Sequence, residues 1–286
     1  MPPLRSLKLG LLRSLPNHWI SRITFWLTRL RSPLARHAIR LFIRLYKVDM
    51  DEAQQTDPQA YSHFNAFFTR ALKADARPII GDSQAIACPA DGTISQLGTI
   101  KDGRIIQAKN HDYSVLELFA GSNQRAAPFH QGKFCTIYLS PRDYHRVHMP
   151  VAGQLREMIY VPGRLLTVST LATQTIPRLF ARNERVVSVF ETERGPMAVV
   201  LVGALNVGAI ETAWAGPITP PRGNRVYSID YANTDHPVRL DRGQELGRFN
   251  MGSTVIVLFP RDVVSWATHL GAESPVKMGQ SLGQLL

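Results

Sequence analysis

Five consecutive residues, Val255-Ile256-Val257-Leu258-Phe259, constrain this chain most. They are β-branched or large and apolar, with no polar position among them, so they read as a strand buried in a core. Phe249-Asn250-Met251-Gly252-Ser253-Thr254 leads into them. Gly-Ser-Thr ahead of such a strand is ordinary turn chemistry. Any fold of this chain must therefore set a glycine turn directly onto a core strand. At 286 residues there is enough chain to build the core around it.

Charge divides the sequence in two. The formal net charge is +11. Residues 1–47 hold ten basic groups (Arg5, Lys8, Arg13, Arg22, Arg29, Arg31, Arg36, Arg40, Arg44 and Lys47) and no acidic one, which leaves 23 basic against 22 acidic groups elsewhere. The body is close to neutral and the N-terminal arm is cationic. A body that bound nucleic acid would carry its own basic patch, so no nucleic-acid partner is expected. Cys88 and Cys135 form no CxxC pair and no zinc-type spacing, as two reduced thiols of a cytoplasmic protein would. No apolar run approaches the ~20 residues that span a bilayer, and the N-terminus lacks the continuous apolar core of a secretory signal.

Residues 17–47 read as two amphipathic helices. Trp19, Ile20, Ile23, Trp26, Leu27 and Leu30 recur at helical spacing in the first. Ser32-Pro33 supplies an N-cap and a first-turn proline for the second. There Leu34, Ala38, Leu41 and Leu45 make an apolar stripe, beside a basic stripe of Arg36, Arg40, Arg44 and Lys47. A basic face next to a Trp, Phe and Leu face is the pattern of a helix lying in a membrane interface. Packing of both helices on the body, with solvated arginines, is the alternative. An Arg-rich, acid-free start also fits a mitochondrial transit peptide, although the second helix leads straight into body-like sequence. Asp57-Pro58 is expected to cap a further helix, in which Phe64, Phe67 and Phe68 anchor the arm to the body.

From Ile86 onward the pattern turns to strands. Thr93 to Ile100 and Arg104 to Lys109 flank Asp102-Gly103, a hairpin signal. Lys133 to Leu139, Arg185 to Glu191, Met197 to Val202 and Leu205 to Trp214 continue the set. Helix is expected at Tyr113 to Phe119 and Leu166 to Phe180. The fold class is α+β: a β-rich body with an N-terminal arm of basic amphipathic helices. The domain reading is an arm over residues 1–48 and a catalytic domain over 49–286.

Three short motifs carry possible chemistry. Cys88-Pro89-Ala90-Asp91-Gly92-Thr93 puts Asp91 at a tight turn that starts a strand. Tyr138-Leu139-Ser140-Pro141-Arg142-Asp143-Tyr144-His145-Arg146-Val147-His148-Met149-Pro150 holds two histidines three apart at a strand end. They could share a metal ion, but no third ligand is at hand. They could equally be a general base and a substrate-positioning residue, or hydrogen-bonded core histidines. Gly252-Ser253-Thr254 adds a serine whose activation would need such a base. The absence of a GxSxG elbow argues against an ordinary hydrolase.

Taken together, these motifs resemble phosphatidylserine decarboxylase of the bacterial, pyruvoyl-dependent, membrane-associated type. Phe64-Asn65-Ala66-Phe67-Phe68-Thr69-Arg70, Val202-Gly203-Ala204-Leu205-Asn206-Val207-Gly208 and the basic arm extend the resemblance over roughly residues 15–265. Met251 stands where the family usually has leucine, and Asn110 where it has glycine. The resemblance implies one self-cleavage, between Gly252 and Ser253. The Asp91–His148 pair would deprotonate Ser253, whose oxygen attacks the Gly252 carbonyl and turns the amide into an ester. Elimination, rearrangement and hydrolysis then release ammonia and leave a pyruvoyl group derived from Ser253. The products are a β fragment, 1–252, and an α fragment, 253–286. The mature enzyme would convert phosphatidylserine to phosphatidylethanolamine through a Schiff base, with the pyruvoyl as electron sink and no metal. Tyr138 and His145 would position the headgroup or handle its proton. The implied partners are anionic membrane carrying phosphatidylserine, the two fragments for each other, and a second copy in a homodimer. The implied location is the cytoplasmic face of the membrane, as a peripheral protein. A metal-dependent hydrolase using His145 and His148 and a non-enzymatic membrane-binding module are the rival classes.

Overall fold

The computed structural model describes residues 17–204, 209–220, 224–251 and 254–286. Gly252 and Ser253 lie outside the described residues, as do Leu205 to Gly208 and the arm's Arg5, Lys8 and Arg13. Nine strands position the site: β1 (Gly92–Thr99), β2 (Lys133–Tyr138), β3 (Arg146–His148), β4 (Gly153–Val161), β5 (Arg185–Thr192), β6 (Gly195–Val202), β7 (Ile210–Thr212), β8 (Glu245–Phe249) and β9 (Thr254–Phe259).

The apolar run forms β9, and all six of its residues are buried. It lies inside the main sheet, antiparallel to β6 on one side and to β2 on the other. Edge to edge that sheet runs Tyr227–Asp230, β4, β5, β6, β9, β2, β1 and Pro275–Val276, with Arg239–Leu240 paired to β4. Alternate side chains of a strand point to opposite faces, and here both faces are covered. Val255, Val257 and Phe259 join one core with Ile94, Ile137 and Leu201. Ile256 and Leu258 join another with Phe134, Val200 and Phe180. Two-sided cover explains why the run has no polar position. A second sheet orders Gly216–Pro217, β7, β8 and β3, and a third orders Ala85–Ala87, Ser281–Leu285 and Val264–Trp266.

The arm consists of α1 (Asn17–Leu27) and α2 (Pro33–Tyr46), followed by the short α3 (Phe64–Phe68). Ser32 caps α2, accepting a hydrogen bond from the Leu34 amide at 3.2 Å, with Pro33 in the first turn. The face that α2 lays on the body is not the leucine stripe. Ile39 is fully buried, and Phe42 meets Phe64, Phe67 and Phe68 with ring centroids 5.2, 5.9 and 6.0 Å apart. Leu34, Leu41 and Leu45 stay 76%, 58% and 69% exposed, and Trp19, Ile23, Trp26 and Leu27 are exposed with them.

Several local expectations change. Asp57 caps only a 3-10 turn, Pro58–Ala60, and α3 is capped instead by His63, which accepts from the Ala66 amide at 3.0 Å. Asp102 and Gly103 take the positive φ values, 50° and 69°, of the turn that Asp-Gly favours. The strand after it, Arg104–Ala108, leaves β1 and pairs with His111–Ser114, while β1 pairs with β2. Asn110, at φ 65°, makes the turn between them, so it does adopt glycine's left-handed conformation. Tyr113 to Phe119 splits into strand and a four-residue helix, Val115–Leu118, and Leu166 to Phe180 holds only Thr170–Thr173 and the start of Leu179–Arg182. Of Leu205 to Trp214, the described strand is β7 alone.

Candidate active site

The site gathers at one end of β9. Thr254 pairs with Tyr138 of β2 and with Val202 of β6, and Tyr138 pairs on its other side with Thr93 of β1. The chain thus enters β9 from Met251 with Tyr138 alongside and the Asp91 turn one strand further. Gly92 makes that spacing possible, because a Cβ there would sit 2.2 Å from the Tyr138 carbonyl oxygen. The His motif is tied to the same turn, since the His148 amide donates to the Pro89 carbonyl at 2.8 Å. Met251 adopts φ 138°, a sparsely populated conformation for a side-chain-bearing residue, costing on the order of 1–3 kcal/mol.

Asp91 is buried and fully engaged. Arg77 Nε donates to its two oxygens at 2.9 and 3.2 Å, Arg77 Nη2 to Oδ2 at 2.6 Å, and the Met278 amide to Oδ1 at 2.8 Å. The same Nη2 also donates to Glu52 Oε2 at 2.5 Å, and Lys277 donates to the other Glu52 oxygen at 2.8 Å. Hydrogen bonding to Arg77 outweighs partial burial and brings the Glu52 carboxyl down to about 2. Asp91, Arg77, Glu52 and Lys277 form one chain of alternating charge.

His148 is buried, and its two nitrogens have distinct tasks. Nδ1 lies 2.8 Å from the Gly243 carbonyl, which can only accept, so Nδ1 carries the proton. Nε2 keeps its lone pair and accepts from the Tyr144 hydroxyl at 3.0 Å. Burial lowers the His148 pKa, opposed by the Gly243 carbonyl and more weakly by the charges of Glu245 and Asp91. Burial also pushes the Tyr144 hydroxyl up to about 12. Together they make a neutral imidazole facing a neutral phenol. No hydrogen bond joins Asp91 to His148: the carboxylate acts on the imidazole through space, while a backbone carbonyl holds its tautomer.

His145 differs from His148. It is completely buried, packed against Phe68 with the rings tilted by 43° and centroids 4.1 Å apart, and donates Nδ1–H to the Asp143 carbonyl at 2.8 Å. Its Nε2 has no hydrogen-bond partner, and burial pushes its pKa down to about 3. Among the described residues, no three His, Cys, Asp or Glu side chains come together as a metal site would require. Tyr138 is half-buried and burial raises its pKa. It lines a cavity of about 200 Å³ with Phe42 and Tyr46 of α2, Phe68, Val168 and Met251. That cavity therefore lies between arm and body, with Met251 in its wall.

Arg77, Glu52, Tyr144 and the Gly243 carbonyl were not legible as site groups in the sequence. Tyr144 sits inside the quoted motif, where a phenol four residues before a histidine was the available signal. The others reach the site through tertiary contacts alone, and a carbonyl leaves no mark on residue type.

A family model described as phosphatidylserine decarboxylase matches residues 64–284 of this chain, and a second, described as PSD, matches residues 7–47. A phosphatidylserine decarboxylase proenzyme of Stutzerimonas stutzeri is 57% identical over 272 residues, covering 94% of this chain and 91% of that protein. A proenzyme of the same name from Nitrosococcus oceani is 54% identical, covering 95% and 89%. One from Pseudomonas aeruginosa (strain LESB58) is 57% identical, covering 94% and 93%.

Proposed function

The chain belongs to the phosphatidylserine decarboxylase family, and on that premise we propose that it is a proenzyme that cuts itself between Gly252 and Ser253 and then converts phosphatidylserine to phosphatidylethanolamine. The observation that carries the residue assignment is the position of Tyr138, paired on one side with Thr254, the residue after Ser253, and on the other with Thr93 beside the Asp91 turn, to which the His148 amide is bound through Pro89.

In the cut, His148 is the base. It is neutral, its Nδ1 proton is held by Gly243, and its Nε2 lone pair is held by the Tyr144 hydroxyl until the serine takes that place. Ser253 Oγ gives up its proton and bonds to the Gly252 carbonyl carbon, and the C–N bond breaks to leave an ester with a free amine. Glycine has no side chain to obstruct the approach. Strain at Met251 favours any step that lets its own backbone relax. Elimination frees the Gly252 carboxylate, and hydrolysis with loss of ammonia turns residue 253 into the pyruvoyl. Asp91, clamped by Arg77, keeps a negative charge near the imidazole while it is protonated.

When formed, the pyruvoyl carbonyl supplies the electron sink that decarboxylation needs and that no ordinary side chain offers. The site fits such a group: Thr254 is locked between β2 and β6, so a new N-terminus stays beside Tyr138 and the arm-side cavity. There Tyr138 bounds the space the headgroup enters, and His145, buried and neutral, offers its unpartnered Nε2 as a hydrogen-bond acceptor to the headgroup. No helix among the described residues is long and apolar enough to cross a membrane. The arm instead rests on the cytoplasmic face of anionic membrane, its exposed tryptophans and leucines in the interface. Intact-mass measurement tests the reading: wild type gives two pieces, Ser253→Ala a single chain of 31.9 kDa, and His148→Ala a slow or absent cut. A wild-type chain that decarboxylates while uncut would overturn it.

A further inference from the structure

A second cavity of about 530 Å³ opens on the other side of the Asp91 turn. Asp91, Gly92, Thr93, Ser140 and Tyr144 line it, so it borders the groups described above. Its charges sort unevenly. Each lining carboxylate already has a partner: Asp91 and Glu52 are held by Arg77, Asp143 by the Ser140 amide at 2.6 Å, and Asp49 by the Asp51 amide at 2.9 Å. Of the lining cations, Arg77 and Lys277 are paired to these carboxylates, and Arg142 approaches Asp143. Lys47 and Arg70 have no ion pair among the described residues.

Arg70 is the unusual one. It is 5% exposed, yet its described hydrogen bond goes to a backbone carbonyl, from Nη2 to Arg142 at 3.2 Å. Its Nε is buried without any partner, and its Cζ lies 5.5 Å from the centroid of the Phe67 ring. Burying a guanidinium is costly unless its charge and donors are satisfied. A planar fork of donors with no carboxylate, opening on a cavity, is the arrangement that receives a phosphate or carboxylate oxyanion.

We propose that Arg70, with Lys47 at the mouth, forms a phosphate-binding subsite in this cavity, and that the phosphodiester of the lipid headgroup occupies it during decarboxylation. This rests on the reading of the chain as a phosphatidylserine decarboxylase. The headgroup carries two anions. Its carboxylate hangs on the carbon that must react beside residue 253, whereas its phosphate lies beyond the next carbon and needs a separate cation. The cavity reaches Thr93, which lies two strands from Thr254 across Tyr138, and that separation sets the span the headgroup has to bridge.

The test uses the cleaved enzyme and a short-chain phosphatidylserine in detergent, at constant ionic strength, with inorganic phosphate replacing chloride. Phosphate is expected to raise the wild-type KM without changing kcat. Arg70→Gln is expected to raise KM at least tenfold and to abolish the phosphate effect, with Arg70→Lys in between. Intact mass first establishes that each variant has been cut. If Arg70→Gln is not cut, Arg70→Lys and the wild-type competition decide. Wild-type KM indifferent to phosphate, or phosphate sensitivity surviving in Arg70→Gln, would overturn the proposal. A subsite for free phosphate alone is recognised by phosphate raising the melting temperature of wild type but not of Arg70→Gln, with lipid KM equal in both, and that also overturns the headgroup assignment. A wild type that is uncut and inactive is a failure of the family reading instead.

Discussion

The arm and strand β9 spend the same kinds of residue in opposite ways. Every side chain of β9 is buried between two cores. In the arm, Trp19, Trp26, Leu34, Leu41 and Leu45 are all more than half exposed, although α2 is held to the body through Ile39 and Phe42. Scattered exposed leucines need no explanation, but a contiguous apolar face marks an interaction surface. The body consumes one face of α2 and leaves another apolar face beside the arginines. Apolar burial inside the protein thus accounts for β9 completely and for the arm only in part. The remainder of the arm's apolar surface is left for a partner outside the body, the role proposed above for an anionic bilayer.

The sharpest way to test that division is to damage both regions alike. Ile256→Ala, in β9, should destabilise the protein by about 2–5 kcal/mol in denaturant unfolding, because it empties space in a closed core. Leu41→Ser with Leu45→Ser should leave that stability within about 0.5 kcal/mol. The same pair should weaken binding to anionic vesicles by roughly a hundredfold, since each leucine is worth on the order of 1.5 kcal/mol when buried. A destabilised fold with unaltered vesicle binding would mean that the leucine stripe is structural after all.

Acid should separate the regions differently. Burial pushes His145 down to about 3, whereas an unfolded imidazole titrates near ~6.5. Between those values the unfolded chain takes a proton that the folded chain refuses. The stability present above ~6.5 is therefore lost as pH falls, by about 1.4 kcal/mol per pH unit. Unfolding at pH 7.0 and 5.5 should reveal this slope, and His145→Asn should flatten it. An unchanged slope would show that other groups govern acid sensitivity. The arm's arginines keep their charge throughout this range, so vesicle binding should survive the same shift. The smallest effect is expected from Arg36→Gln or Arg40→Gln, each costing about 1 kcal/mol of vesicle affinity at low salt and little in 0.5 M salt.

The arm and the central strand were legible in the sequence because each rests on local periodicity. The Ser32-Pro33 cap and strands β5 and β6 were legible because their signals are local too. The hairpin at Asp102-Gly103 was half legible: the turn chemistry is local, but the choice of partner for Arg104–Ala108 is not. At the site, residue types drew attention to Asp91, His145 and His148. What holds them did not appear, because Arg77 comes from 14 residues away and Gly243 contributes only a carbonyl. The apolar face that α2 buries was not legible, because two apolar stripes lie on one helix and only the position of the α3 phenylalanines decides between them.

The pairing of β9 has a last consequence. Residues after the proposed cut are woven into the remainder at several places: β9 between β2 and β6, Pro275–Val276 against β1, and Ser281–Leu285 against Ala85–Ala87. Before the cut, unfolding is a one-body event and its midpoint does not depend on concentration. After the cut, it is also a dissociation, so the midpoint should rise with protein concentration. A strand threaded between two neighbours is not easily returned by a separate 34-residue piece. Maturation would then make the fold a one-way product, assembled while the chain was whole and held afterwards by the slowness of its own escape.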